Sequence, residues 1–318
     1  SAYYGTEKVL DRGKPDVMNA SEFAQFKKEY YEDKALYEGY TGGVPAQYQN
    51  PQSIGNGTDW YDILLRNAKT KNYNLSVSSG IGRLKSSVNV NYNKQEGVIL
   101  NTFAERYTAR ANNLFEASDR ITFGLNIAGS YRNSQITPSL GNGRNIIGSA
   151  FLMDPALKYK NDDGTYPISY LAPGMFANPN YYLVLTQRKY PTKQTSVTTN
   201  GYSEIKLFDG LKYKLSANVD LGNTAASSFI PSTAQGAMFS APPKPATGNY
   251  STANYMTWLL ENTLTYTKTF KEKHNIDALL GYTSQDATAE NSAIAASSFP
   301  DDEVDWFNAA TVKTGSGD

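Results

Sequence analysis

From Tyr73 to Tyr282 the chain keeps returning to stretches in which apolar and small polar residues alternate one by one. Successive side chains of an extended strand point to opposite sides, so each such stretch has one oily face and one wet face. The clearest sets Ile121, Phe123, Leu125, Ile127, Gly129 and Tyr131 against Thr122, Gly124, Asn126, Ala128, Ser130 and Arg132. The same division separates Tyr73, Leu75 and Val77 from Asn74, Ser76 and Ser78, and Leu211, Tyr213, Leu215, Ala217, Val219 and Leu221 from the residues between them. A face of this kind packs on a second sheet in a soluble sandwich or meets lipid in a membrane barrel, and periodicity alone fits both.

The connections separate the two. Those near 81–84, 116–119, 208–210 and 270–273 are tight, those near 10–72, 96–103, 133–195 and 222–256 are longer, most of them much longer, and the two kinds alternate. Outer-membrane barrels have short periplasmic turns and long extracellular loops, so every other connection must be long. A compact soluble domain rarely carries several structureless connections of that length. The sequence therefore predicts an all-β fold, an antiparallel transmembrane β-barrel segment of about nine strands near 2–9, 73–80, 85–95, 104–115, 120–132, 196–208, 211–221, 257–269 and 275–285. An open sheet would leave backbone groups unpaired in hydrocarbon, so further strands must close it. The chain begins at Ser1 within its first strand, as expected of a processed or partial polypeptide.

A hydrophobic fraction of 40% and a mean hydropathy of −0.52, with no long apolar run, exclude a transmembrane helix and suit a barrel with a wet lumen. Tyr73, Tyr92, Tyr107, Tyr131, Tyr213, Tyr266, Tyr282 and Trp258 fall on the apolar register near strand ends, where an interfacial aromatic girdle would sit. Lys+Arg 30 against Asp+Glu 30 gives no case for nucleic acid. The absence of cysteine fits an oxidising compartment without disulfides. His274 is the one histidine and sits beside a short turn, so no Ser/His/Asp constellation or zinc-ligand set is present and no enzyme is expected. Asn161 to Thr165 starts like a calcium loop but lacks the later carboxylate, and reads as a hairpin turn. Asp301, Asp302, Glu303 and Asp305 read as a solvated acidic run, with a calcium site between loops as the alternative.

The first long loop carries structure of its own. Asn19 precedes Glu22 at capping-box spacing, and Phe23, Phe26, Tyr30 and Tyr37 recur at helical intervals, predicting a short helix near 20–37. Its aromatic stripe is either loop core or a surface for a partner.

Several short motifs follow one another along the chain. They are Gly57-Thr58-Asp59-Trp60, the stretches Asn72 to Ser78, Asn93 to Ile99 and Arg106 to Asn112, then Ala177-Asn178-Pro179, Phe208 to Tyr213 and Glu261 to Tyr266. In that order they resemble the SusC/RagA family of TonB-dependent outer-membrane transporters. The resemblance covers essentially the whole chain but only the first part of the family's barrel, so residues 1–318 read as a partial TonB-dependent receptor β-barrel domain. The plug domain, the TonB box and the later strands fall outside it. The resemblance implies a plugged barrel of the 22-stranded class in the bacterial outer membrane. It implies import of oligosaccharides, or of peptides in the RagA type, powered through the TonB complex, with a SusD-like surface lipoprotein as lid and no cofactor. A non-transporting surface or adhesive barrel is the other class.

Ligand contacts are expected in the extracellular loops, at Tyr166, Tyr170, Phe176, Asn178, Tyr181 and Tyr182 and, further on, at Phe229, Phe239 and Tyr250. Aromatic faces stack on sugar rings and amides satisfy hydroxyls. The same aromatics would equally serve to staple the loops together. Arg106, Arg110, Glu204, Lys206, Lys212 and Lys214 are expected on the lumen face, toward the plug.

Overall fold

A computed structural model describes residues 1–137, 145–174, 176–236 and 241–317. Its strands are β1 (Ala2–Glu7), β2 (Ala68–Ile81), β3 (Leu84–Glu96), β4 (Phe103–Glu116), β5 (Ile121–Gln135), β6 (Ser169–Tyr170), β7 (Asn178–Pro179), β8 (Pro191–Phe208), β9 (Leu211–Ile230), β10 (Thr247–Phe270), β11 (His274–Ser297) and β12 (Val312–Gly317). All except β6 and β7 join one open ten-stranded sheet in the order β1-β2-β3-β4-β5-β8-β9-β10-β11-β12. Every neighbouring pair in it is antiparallel. The expected sheet is there, with Val312–Gly317 as a tenth strand.

Register carries the alternation from strand to strand. Tyr73, Tyr92, Tyr107 and Tyr131 are direct cross-strand partners, and their rings follow one another at 6.1, 4.9 and 6.3 Å between centroids. Eight residues along β4 and β5, Phe115 pairs Phe123 on the same face. At about 3.3 Å per residue the two aromatic rows are about 26 Å apart along the strands, close to the height of an outer-membrane apolar band. Between them lie Leu75, Val77, Val88, Val90, Leu125 and Ile127, all exposed in the open sheet. No helix among the described residues is long and apolar enough to cross a membrane.

The opposite face is a lattice of amides and hydroxyls. Asn126 Nδ2 donates to Asn200 Oδ1 at 3.2 Å, and Asn200 Nδ2 donates to Asn218 Oδ1 at 2.5 Å and to Ser216 Oγ at 3.1 Å. Asn112 donates to Ser87, and Asn89 to Ser76. Gly124 and Gly222 lie opposite Tyr202 and Tyr255, whose rings occupy the space a Cβ would need. Glycine there lets a large ring lie flat on the polar face.

β8 to β11 run well past their expected ends. The connection expected over 222–256 shrinks to 231–246, because β9 continues to Ile230 and β10 starts at Thr247. Most of the buried apolar core is outside the sheet, in which Ala68, Phe229 and Ala296 are buried near strand ends. It lies in the long connections, as one cluster around Trp60, Leu64, Ile146, Met153, Tyr181 and Leu185 and a second around Ala24, Tyr31 and Tyr48.

Candidate functional site: the loop layer above the polar sheet face

The helix α1 (Ala20–Glu38) forms where the sequence places it. Asn19 Oδ1 accepts from Glu22 N, and Asn19 N donates to Glu22 Oε2, both at 3.0 Å. Gly39 ends the helix at φ 69, a conformation glycine takes without steric cost. Its aromatic stripe divides between the two roles weighed from sequence. Phe23 packs edge-on against buried Tyr48, whereas Phe26, Tyr30 and Tyr37 are exposed, Tyr37 by 79%. The inward tyrosine is Tyr31, which the spacing argument missed; it stacks on Tyr48 at 6.5 Å.

The first loop is locked to the third by a motif that sequence marked only as a resemblance. Thr58 N donates to Pro155 O at 2.8 Å, and Trp60 Nε1 to Asp154 O at 3.0 Å. Gly57, at φ 70, lies so close to Ala20 and Pro155 that no Cβ would fit. Asp154 is fully buried; its carboxylate accepts from Tyr48 Oη at 2.6 Å, Gln47 Nε2 at 3.3 Å and Ala156 N at 2.8 Å. A lone carboxylate between Met153 and Pro155 carries no sequence signal, so nothing in the spacing marked it as a hub.

The expected ligand residues divide by burial. Tyr170, Asn178 and Tyr181 are buried. Tyr181 Oη is 3.2 Å from Asn178 Oδ1, and Tyr170 Oη donates to Lys158 O at 2.7 Å. Asn180 caps the helix α3 (Tyr181–Gln187), which follows the short helix α2 (Ile146–Ala150), and ties Tyr159 and Pro167 with its Nδ2. Tyr166 and Tyr182 are half-buried and stack at 5.4 Å with 11° between planes, Tyr159 edge-on beside them. Phe176 is 60% exposed. Of the later aromatics, Phe229 is buried against Phe299, Tyr250 is exposed on β10, and Phe239 lies outside the described residues.

Two polar links join the remaining loops. Arg188, buried after α3, donates to Ala234 O at 2.7 Å and Gly236 O at 2.5 Å, and burial pulls its pKa down. Asp302 accepts from Ser232 N and Oγ and from Thr233. Burial pushes its carboxyl up, but these bonds outweigh that and hold it below its usual range. Where a hairpin turn is expected the structure has a tight turn with no flanking strand pair: Asp163 accepts from Thr165 N and Oγ1, with Gly164 at φ 87. No group of three or more His, Asp or Glu placed to hold a metal occurs among the described residues.

On the lumen face Lys212 reaches Glu204 at 3.5 Å and Lys214 lies 4.6 Å over the Tyr202 ring. In the loop layer, a groove of about 740 Å³ opens between the start of α1, the Gly57 turn and residues 150–155. Its walls include Met18, Phe23, Trp60, Phe151 and Leu152.

The loop layer has a predictable response to alkali. Burial, and then the bond to Asp154, raise the pKa of Tyr48; burial also raises that of Tyr170. Neutral phenols in the folded state mean that this contribution is complete below the ordinary tyrosine pKa of about 10 and is lost as pH rises through the higher folded values. Phenolate absorbance should therefore show late-ionising tyrosines whose step coincides with proteolytic opening of residues 8–67. Tyr48→Phe should remove one late ionisation, and removal of an early one instead would refute the assignment.

No family model matches the chain. It is similar to TonB-dependent receptor P3 of Formosa agariphila, 29% identical over 298 residues, 92% of this chain and 27% of that protein. TonB-dependent receptor SusC of Bacteroides thetaiotaomicron is 24% identical over 183 residues, 52% of this chain and 16% of SusC. Among solved structures, the RagAB peptide importer in its open-open state superposes with a TM-score of 0.76 at 19% identity, covering 100% of this chain and 38% of that one. The closed-closed state gives 0.75 at 18% identity, with the same coverage. The chain spans about a quarter of the length of the first curated relatives it matches.

The open sheet, its alternating connections and its two-faced strands define a segment of an outer-membrane β-barrel. Its sequence is similar to TonB-dependent receptors and its fold to the RagAB importer barrel, which supports a SusC/RagA-type TonB-dependent transporter fragment.

Proposed function

We propose that the protein takes up oligosaccharide across the outer membrane, captured by the long loops with a SusD-like lipoprotein as lid and driven through TonB. The observation that carries the substrate class is the polar sheet face, where neutral amides and hydroxyls form the lattice around Asn126, Asn200 and Asn218. An amide both donates and accepts, which suits an uncharged polyhydroxyl chain passing below the loops. Exposed Phe176 and the partly accessible Tyr166–Tyr182 stack are the aromatic surfaces offered to a sugar ring, and Tyr170, Asn178 and Tyr181 hold that loop in shape. A peptide is the second reading, favoured by the apolar groove with its methionine and phenylalanine walls.

Calorimetry on the full-length protein with its lipoprotein, against glycan fragments and against mixed peptides, separates the two. Glycan binding that falls about tenfold in Tyr166→Ala/Tyr182→Ala, the scale of a lost stacking contact, supports the first reading. Peptide binding alone supports the second. Binding of neither, with no growth defect on deletion, favours a surface or adhesive role.

Orientation is tested separately. Single cysteines at 82, 118, 209 and 272 should resist an impermeant thiol reagent in intact cells, while cysteines at 30 and 165 react; position 240 lies outside the described residues. Labelling at 209 but not at 165 would invert the topology.

A further inference from the structure

β9 and β10 are neighbours, and the turn at 209–210 abuts Thr267, whose N donates to Gly210 O at 2.8 Å a few residues before the turn at 271–273. Three features of this corner point the same way. First, a bulge between Lys206 and Phe208 shifts the register of β8 against β9. Bulges re-aim side chains; this one pairs Phe208 with Leu211 and so brings it to the apolar side of the sheet, where it is 62% exposed, and Phe270 at the end of β10 is exposed as well.

Second, the strand ends at 204–212 and 268–274 carry Lys206, Lys212, Lys268, Lys271 and Lys273 against Glu204, Asp209 and Glu272. Lys268 lies 5.9 Å over the Phe270 ring and 3.5 Å from Asp209. Third, Lys271 and Glu272 sit at φ 50 and 56, the pair of left-handed positions that a two-residue hairpin normally gives to Asn-Gly. Charged residues hold a backbone that costs them more than it would cost glycine.

We propose that these two turns form a binding site for the phosphate of an anionic phospholipid in the leaflet on the short-turn side. The ammonium groups of Lys268, Lys271 and Lys273 would take the phosphate, while Phe208 and Phe270 lie against the first acyl carbons. Basic side chains at a bilayer surface attract anionic headgroups, and aromatic rings settle at the same depth. This rests on the reading of the sheet as a barrel in lipid with its short turns at the periplasmic surface.

The test uses the full-length protein in nanodiscs of mixed phosphatidylglycerol and phosphatidylcholine, with the lipid retained after detergent extraction counted by native mass spectrometry. The intact protein should retain phosphatidylglycerol at least tenfold over phosphatidylcholine. In Lys268→Gln/Lys271→Gln/Lys273→Gln that preference should fall to near one, with heat-modifiable mobility showing an assembled barrel. If that variant does not assemble, Lys271→Asn/Glu272→Gly, which relaxes the turn, should still lower the preference severalfold. Equal retention of both lipids by the intact protein, or an unchanged preference in an assembled lysine variant, overturns the site. Failure of the intact protein to insert at all overturns the barrel reading instead.

Discussion

Leu125→Arg should cost the barrel about 1–3 kcal/mol, because an arginine on the lipid face between the bilayer midplane and the interface has no partner within reach. Leu125 lies on the apolar face between the rows of Phe123 and Tyr131, paired across β5 with Asn113 and Gly201. One residue on, Asn126→Arg faces the lumen, where it loses a side-chain bond to Asn200 worth about 1 kcal/mol and keeps access to water. Denaturant titration of the full-length protein folding into liposomes gives both penalties. A larger penalty at 126 than at 125 would mean that the strand register is inverted or that this face never meets lipid.

That contrast was legible in the sequence because residues 121–131 have one neighbour of each kind, oil and water, and the alternation records it. The signal fails where both faces are wet. Thr247 to Tyr255 contains almost nothing but hydroxyls, amides, small residues and tyrosine, so it reads as loop, yet it pairs residue by residue with β9 and β11. Backbone pairing needs no apolar face once a strand rises beyond the lipid. The loop layer fails for a different reason. Tyr166 and Tyr170 are four residues apart and chemically identical, but one stacks half-buried on Tyr182 and the other is buried against Trp60. Their difference is set by residues distant in sequence, which no local pattern encodes. α1 was legible because its capping box is local, and its core tyrosine was not, since Tyr31 is chosen by Tyr48 from another part of the loop.

The same distinction between sheet and loop layer predicts how Asp154→Ala should behave. The substitution strands the Tyr48 hydroxyl and the Ala156 amide in a dry site, and an unsatisfied buried donor costs about 1–3 kcal/mol. Two such donors bring the expected loss to about 2–6 kcal/mol, confined to the loop layer. Trp60→Ala should cost about 3–5 kcal/mol there by removing both the packed indole and its bond to Asp154 O. The strands are held by their own ladders, so the barrel should assemble with unchanged heat-modifiable mobility. Amide exchange in the first and third loops should then accelerate by about 30- to 30,000-fold in Asp154→Ala. Asp154→Asn, which keeps an acceptor for Tyr48, should lie between the two. Uniformly faster exchange through β2 to β5 would show that the loops support the sheet, and unchanged exchange in the loops would show that Asp154 does not hold them.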